Sequence, residues 1–153
     1  MIFVVLAGLD SVPATANTQS RTAARNARAY EKSGHLLYEH ALALYNRKNP
    51  EDMRAALPFF RRAAEDFRAA GAHGKQAGAL LGAGFVLRHL GYDREALRHF
   101  TGALLLYRRV KHRPGEVDAL LNIGATHFSL QDSEKSLDHF NEALALARRI
   151  RER

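Results

Sequence analysis

Eight histidines and no cysteine set the limits of any chemistry this chain could perform. Without a thiolate there is no cysteine nucleophile, no thiolate metal site and no disulfide. A metal centre would have to be built from imidazoles and carboxylates, and one compact grouping, His35, Glu39 and His40, presents itself. On a helix, a five-residue step carries two side chains away from the face that a four-residue step shares, and no zinc-protease signature is present. The histidines therefore read as solvated or packing residues, and no metal is expected. No Ser/His/Asp set stands in a recognisable context, no carboxylates are paired and no glycine-rich loop awaits a phosphate. The stretch "GALLGAG" at 78–84 is loop-like in composition, but it aligns with "DALLNIG" at 118–124 inside a periodic apolar run. It belongs to a helix. The chain reads as non-enzymatic, with no cofactor.

Charge offers a second kind of chemistry. Lys and Arg number 23 against 16 Asp and Glu, a formal net charge of +7. The arginines form a ladder, Arg68, Arg108 and Arg148, with Arg109 and Arg149 beside it. One reading is a positive stripe for an acidic partner or a nucleic acid. The other is that cations favour helix C-termini, at about 0.3–1 kcal/mol each, and a repeat copies them. Aromatic residues are not interleaved with the ladder, as stacking on single strands would want, so nucleic acid is the less favoured partner.

The ladder's 40-residue spacing is the key to the elements that must position these residues. Sliding residues 79–109 onto 119–149 without a gap matches Ala79, Leu80, Leu81, Gly84, Leu90, Leu97, His99, Phe100, Ala103, Leu104, Leu106, Arg108 and Arg109 with identical residues 40 positions later. The same offset carried backwards pairs Ala56, Leu57, Phe60, Ala63 and Arg68 with Ala96, Leu97, Phe100, Ala103 and Arg108. A third, more worn copy therefore begins the array, and its first helix needs two extra residues in the "NRKNPEDMR" turn. Repetition of this length signals a stack of supersecondary units.

Within each copy the apolar residues recur every three or four positions, as in Leu97, Phe100, Leu104 and Tyr107, which is a helical period. Breakers at "NRKNP", "AAGAHG", "LGYD", "KHRPG" and "LQDS" divide residues 27–151 into six helices of about 15–20 residues. Short links make neighbouring helices antiparallel. Asp132 or Ser133 suits an N-cap and Pro114 a first turn. Gly84 and Gly124 fall in helix middles, where glycine costs about 1 kcal/mol relative to alanine, so close helix approach beside Phe100 and Phe140 is expected there.

Gly84, "LGY" at 90–92, Ala96, Phe100 and Ala103 resemble the tetratricopeptide repeat, and Gly124, Leu130, Phe140 and Ala143 repeat the pattern with Ser136 in place of the usual alanine. The usual unit has about 34 residues and this one 40. The longer form, with "AALPFFRRAAEDFRAAG" before "ALLGAGFVLRHLG", resembles bacterial arrays attached to a caspase-like peptidase domain, which would make the chain a regulatory piece of a larger protein. The resemblance implies an all-α fold, a right-handed α-solenoid of about three antiparallel hairpins over residues 26–153, with repeats at about 27–71, 74–111 and 114–151.

In such an array the first helix of each pair lines a concave groove that binds a peptide or protein partner. With Leu80, Gly84 and Leu87 as the packing stripe, the groove residues are Leu81, Phe85 and Arg88, matched by Leu121, Ala125 and Phe128. Asn122 stands where related arrays place an asparagine that binds a peptide backbone, and its counterpart is Gly82. The final helix keeps a second apolar stripe, Ala143, Leu146 and Ile150, which points to a longer array or to self-association. No run of 18 apolar residues is present, so no membrane span is expected. Residues 1–25 form a separate N-terminal segment. Its apolar start and the Ala14-Thr15-Ala16 run resemble an export signal, although no basic residue precedes the run and Asp10 interrupts it. The chain is exported if residues 1–16 serve as that signal and cytoplasmic otherwise.

Overall fold

Residues 14–152 are described by a computed structural model. They form six helices: α1 (Ala14–Tyr45), α2 (Pro50–Ala69), α3 (His73–His89), α4 (Asp93–Arg109), α5 (Arg113–Ser129) and α6 (Ser133–Arg151). No strand occurs among the described residues. The breakers identified in the sequence coincide with the links. The first helix differs from expectation, because it begins at Ala14 and runs for 32 residues. Its early part, "ATANTQSRTAARNARA", is rich in alanine and arginine, both good helix formers, so the helix extends without an apolar stripe to guide it. The apolar run in residues 1–13 lies outside the described residues.

Four of the five links reuse one device. After α2, α3, α4 and α5 a single residue takes a left-handed conformation: Gly71 (φ 71°), Gly91 (φ 81°), Lys111 (φ 56°) and Gln131 (φ 62°). The next N–H reaches back over the helix end, as Tyr92 N–H donates to the Leu87 carbonyl at 2.8 Å and Asp132 N–H to the His127 carbonyl at 2.9 Å. This closes the carbonyls that a helix terminus leaves open. Helix starts are fixed by side chains at three sites: Asn49 Oδ1 accepts from Asp52 N–H (2.8 Å), His112 Nδ1 from Gly115 N–H (3.0 Å) and Asp132 Oδ1 from Lys135 N–H (3.3 Å). Pro50 and Pro114 sit in first turns, where no N–H is needed.

Five junctions join the six helices, and each seats one aromatic ring on one glycine. A Cβ built on Gly34 (α1) would stand 3.0 Å from the Phe67 ring, on Gly82 (α3) 2.5 Å from Phe60, on Gly84 (α3) 2.5 Å from Phe100, on Gly115 (α5) 2.6 Å from Tyr107, and on Gly124 (α5) 2.8 Å from Phe140. The rings all come from α2, α4 and α6, and the glycines all from α1, α3 and α5. Gly84 and Gly124 thus have like surroundings 40 residues apart, as the repeat requires. Ala96, Ala103, Ser136 and Ala143 are buried beside the rings, where small side chains permit close packing.

Helices adjacent in sequence pack together, α1 also touches α3, and α3 touches α5, whereas α2, α4 and α6 do not meet one another. First helices are therefore closer than second helices, and the row of three hairpins bends with α1, α3 and α5 on its inner side. The expected all-α solenoid is the fold observed. One continuous core runs through α3, α4 and α5 around Leu87, Phe100, Leu104, Leu120 and Ile123, and a second joins α1, α2 and α3 around Met53, Phe60 and Val86.

Candidate functional site

The inner side carries the residues expected to bind a partner, and α3 and α5 treat equivalent positions differently. Leu81, Phe85 and Arg88 on α3 are half-buried. The Phe85 ring meets Phe100 edge-on at 5.7 Å and lies 6.5 Å from Tyr45, so it packs between α1, α3 and α4. Arg88 Nε is buried without a hydrogen-bond partner. On α5, Leu121 is 43% exposed and Phe128 69% exposed, with Asn122 and Ala125 half-buried between them. The Asn122 amide donates to the Asp118 carbonyl one turn earlier at 2.7 Å. Its carbonyl oxygen stays available to a partner. The reason Asn122 has glycine as its counterpart is steric: at position 82 the Phe60 ring occupies the space a side chain would need.

A cleft that sequence reading did not single out opens between α1 and α3. It is lined by His35, Tyr38 and Glu39 of α1, Lys75 and Gly78 of α3, and Phe67 of α2 at its floor. Because α2 stands behind the two first helices, the cleft faces the inner side. Gly78 keeps it open, with the Tyr107 hydroxyl 3.7 Å from where a Cβ would be. Lys75 Nζ bonds Glu31 Oε1 at 2.7 Å across the two hairpins, and this hydrogen bond and charge hold the Glu31 carboxyl below its usual range. Burial raises the Tyr38 hydroxyl above the ordinary phenol value and pushes Tyr107 up to about 12. No sequence signal marks the cleft, because the two-residue offset of α1 hides which of its residues face α3.

The basic ladder sits elsewhere. Arg68, Arg108, Arg109, Arg148 and Arg149 are exposed in the last turns of α2, α4 and α6, on the outer helices. Arg108 pairs with Glu142 across the second and third hairpins. The histidines also separate. His35 Nδ1 approaches Glu39 at 3.8 Å, while His40 packs edge-on against Phe59 at 4.5 Å. Among the described residues no group of three or more metal-ligating side chains comes together. The repeated pair His99 and His139 does not share a partner. Burial, then Arg61, lowers the basicity of His99, whereas His139 stacks on His127 at 5.6 Å.

Residues 75–149 match the model of the tetratricopeptide repeat. A search of curated proteins returns no match. Among solved structures, the chain is similar to the TPR domain of Arabidopsis FLU, with a TM-score of 0.69 and 21% identity over 76% of this chain and 95% of that one. That likeness establishes the fold. No described helix is long and apolar enough to cross a membrane.

Proposed function

We propose, for an array with the fold of tetratricopeptide repeats, that this chain is a protein-interaction scaffold that works by binding and performs no chemistry of its own. The observation that carries the reading is the exposure of Phe128 on an inner helix, at 69%. A large aromatic side chain gains nothing from water, and a partner that covers the exposed 69% gains the larger part of the about 1.5–3 kcal/mol that full burial of such a side chain contributes. The partner surface runs over Leu81, Phe85 and Arg88 of α3 and Leu121, Asn122, Ala125 and Phe128 of α5. Asn122 holds a peptide backbone through its free carbonyl oxygen, and Leu121 and Phe128 take apolar side chains. The α1–α3 cleft, with Tyr38 at its wall and Lys75 at its rim, extends the same side for a longer peptide.

Selection from a displayed random-peptide library tests this. The 153-residue chain is expected to enrich a peptide family with apolar anchors, and Phe128→Glu is expected to weaken that family at least tenfold with unchanged helicity, since the ring contributes little to the core. Retention of the family by Phe128→Glu and by Leu121→Glu would overturn the groove assignment.

A further inference from the structure

We propose that α6 is the contact helix of a two-fold dimer of this chain. The middle hairpin shows what the stripe on α6 is made to meet. Leu104 is 5% exposed, and it packs with Leu97 into the cluster that contains Ala119, Leu120 and Ile123 of α5. Forty residues on, Leu144 is 49% exposed and Leu137 60% exposed. The corresponding first-hairpin residue, Ala64, is buried like Leu104. The position is covered wherever a hairpin follows, and among the described residues none follows α6. Leu137 and Leu144, seven residues apart, lie on one face of the helix.

Charge decides the occupant. Glu134 and Asp138 lie in the first half of α6, and Arg148 and Arg151 in the last turns. None of the four forms an ion pair among the described residues. Glu134, Arg148 and Arg151 share the Leu137–Leu144 side of the helix. A parallel neighbour would set arginine against arginine. An antiparallel α6, which a two-fold axis near Asn141 imposes, sets Leu137 beside Leu144 of the partner subunit and Glu134 opposite Arg148 of the partner subunit. The surface is self-complementary only in that arrangement. Head-to-tail stacking would instead set α6 against α1, whose exposed apolar side chains, Tyr30 and Leu36, have no Glu–Arg pattern matched to that of α6. A two-fold pairing of this kind is closed, because each α6 covers the Leu137–Leu144 face of the other.

Sedimentation of the full 153-residue chain over a wide concentration range reads the mass directly. The expected result is a species of twice 17.1 kDa at high concentration. Leu144→Glu is expected to shift it to the monomer with unchanged helicity, and Glu134→Arg and Arg148→Glu each to weaken it. The double variant Glu134→Arg/Arg148→Glu is expected to restore it, because the antiparallel pairs re-form with signs exchanged. A monomer at every concentration, growth beyond the dimer, a dimer indifferent to Leu144→Glu, or failure of the double variant to recover association would each overturn the proposal. Peptide capture through Phe128 is measured separately, so the two readings fail independently.

Discussion

The Phe100 ring fills the space that a side chain at residue 84 would require: a Cβ on Gly84 would lie 2.5 Å from ring atom Cε1. An alanine there gains about 1 kcal/mol of helix propensity and must displace a ring that is itself fully buried. Overpacking of this kind costs about 1–3 kcal/mol, so Gly84→Ala is expected to lower stability. Gly102, mid-helix in α4, meets only the end of Leu80 at 3.4 Å, and Gly102→Ala is expected to be neutral or to gain up to about 1 kcal/mol. Urea unfolding of the two variants checks the opposite signs.

Gln131 holds the left-handed conformation that Gly91 holds one repeat earlier. A side chain in that region is strained by about 1 kcal/mol or more, which glycine escapes. Gln131→Gly is expected to raise the unfolding midpoint, whereas the same change in an ordinary helix position would lower it. The same measurement on Gly91→Gln should show a loss.

Two buried carboxylates rely on half-exposed arginines. Arg113 Nη1 donates to both oxygens of Glu116 at 3.0 Å, and Arg62 Nε reaches Asp66 Oδ1 at 3.3 Å. Removing the arginine strands a charge away from water, on the order of 1–3 kcal/mol before solvent screening of the exposed cation reduces it. Arg113→Met is therefore expected to destabilise the fold more than Arg62→Met. Equal losses in denaturant would show that the second hydrogen bond is without effect.

Alkaline stability follows from Tyr107, which burial, followed by Tyr38 and Asp118, pushes up to about 12. The unfolded chain releases this proton near pH 10 and the folded chain holds it. The contribution is full below pH 10 and disappears as the pH rises from 10 to 12, at about 1.4 kcal/mol per unit. Ultraviolet titration should find one tyrosine ionising well after the others, and Tyr107→Phe should remove part of the alkaline loss.

The copied letters make the stack readable in the sequence, because identical residues at Gly84 and Gly124 or Phe100 and Phe140 can persist only if their neighbours repeat too. Punctuation at the links was equally plain. Three of the five ring-on-glycine junctions were hidden: Gly82 is matched by Asn122 and Gly115 by Lys75 at the 40-residue offset, while Gly74, 40 residues after Gly34, meets no ring. The start of α1 was missed for a different reason. Alanine and arginine favour a helix without announcing it through periodicity. Exposure of the groove positions was beyond sequence as well: Leu81 and Leu121 are the same letter in the same place, and only the neighbour beyond α5 distinguishes them.

Four glycines, Gly74, Gly78, Gly82 and Gly84, fall within the 17 residues of α3. Against alanine they cost that segment about 4 kcal/mol of intrinsic helicity, so it has little tendency to coil by itself and takes its order from the rings pressed on it from both sides. The middle of the array is thus its least autonomous part. Instead of melting unit by unit from an end, as solenoids of self-sufficient modules can, the chain is expected to come apart cooperatively around α3, and a cut through residues 73–89 removes the seat of the Phe60 and Phe100 rings.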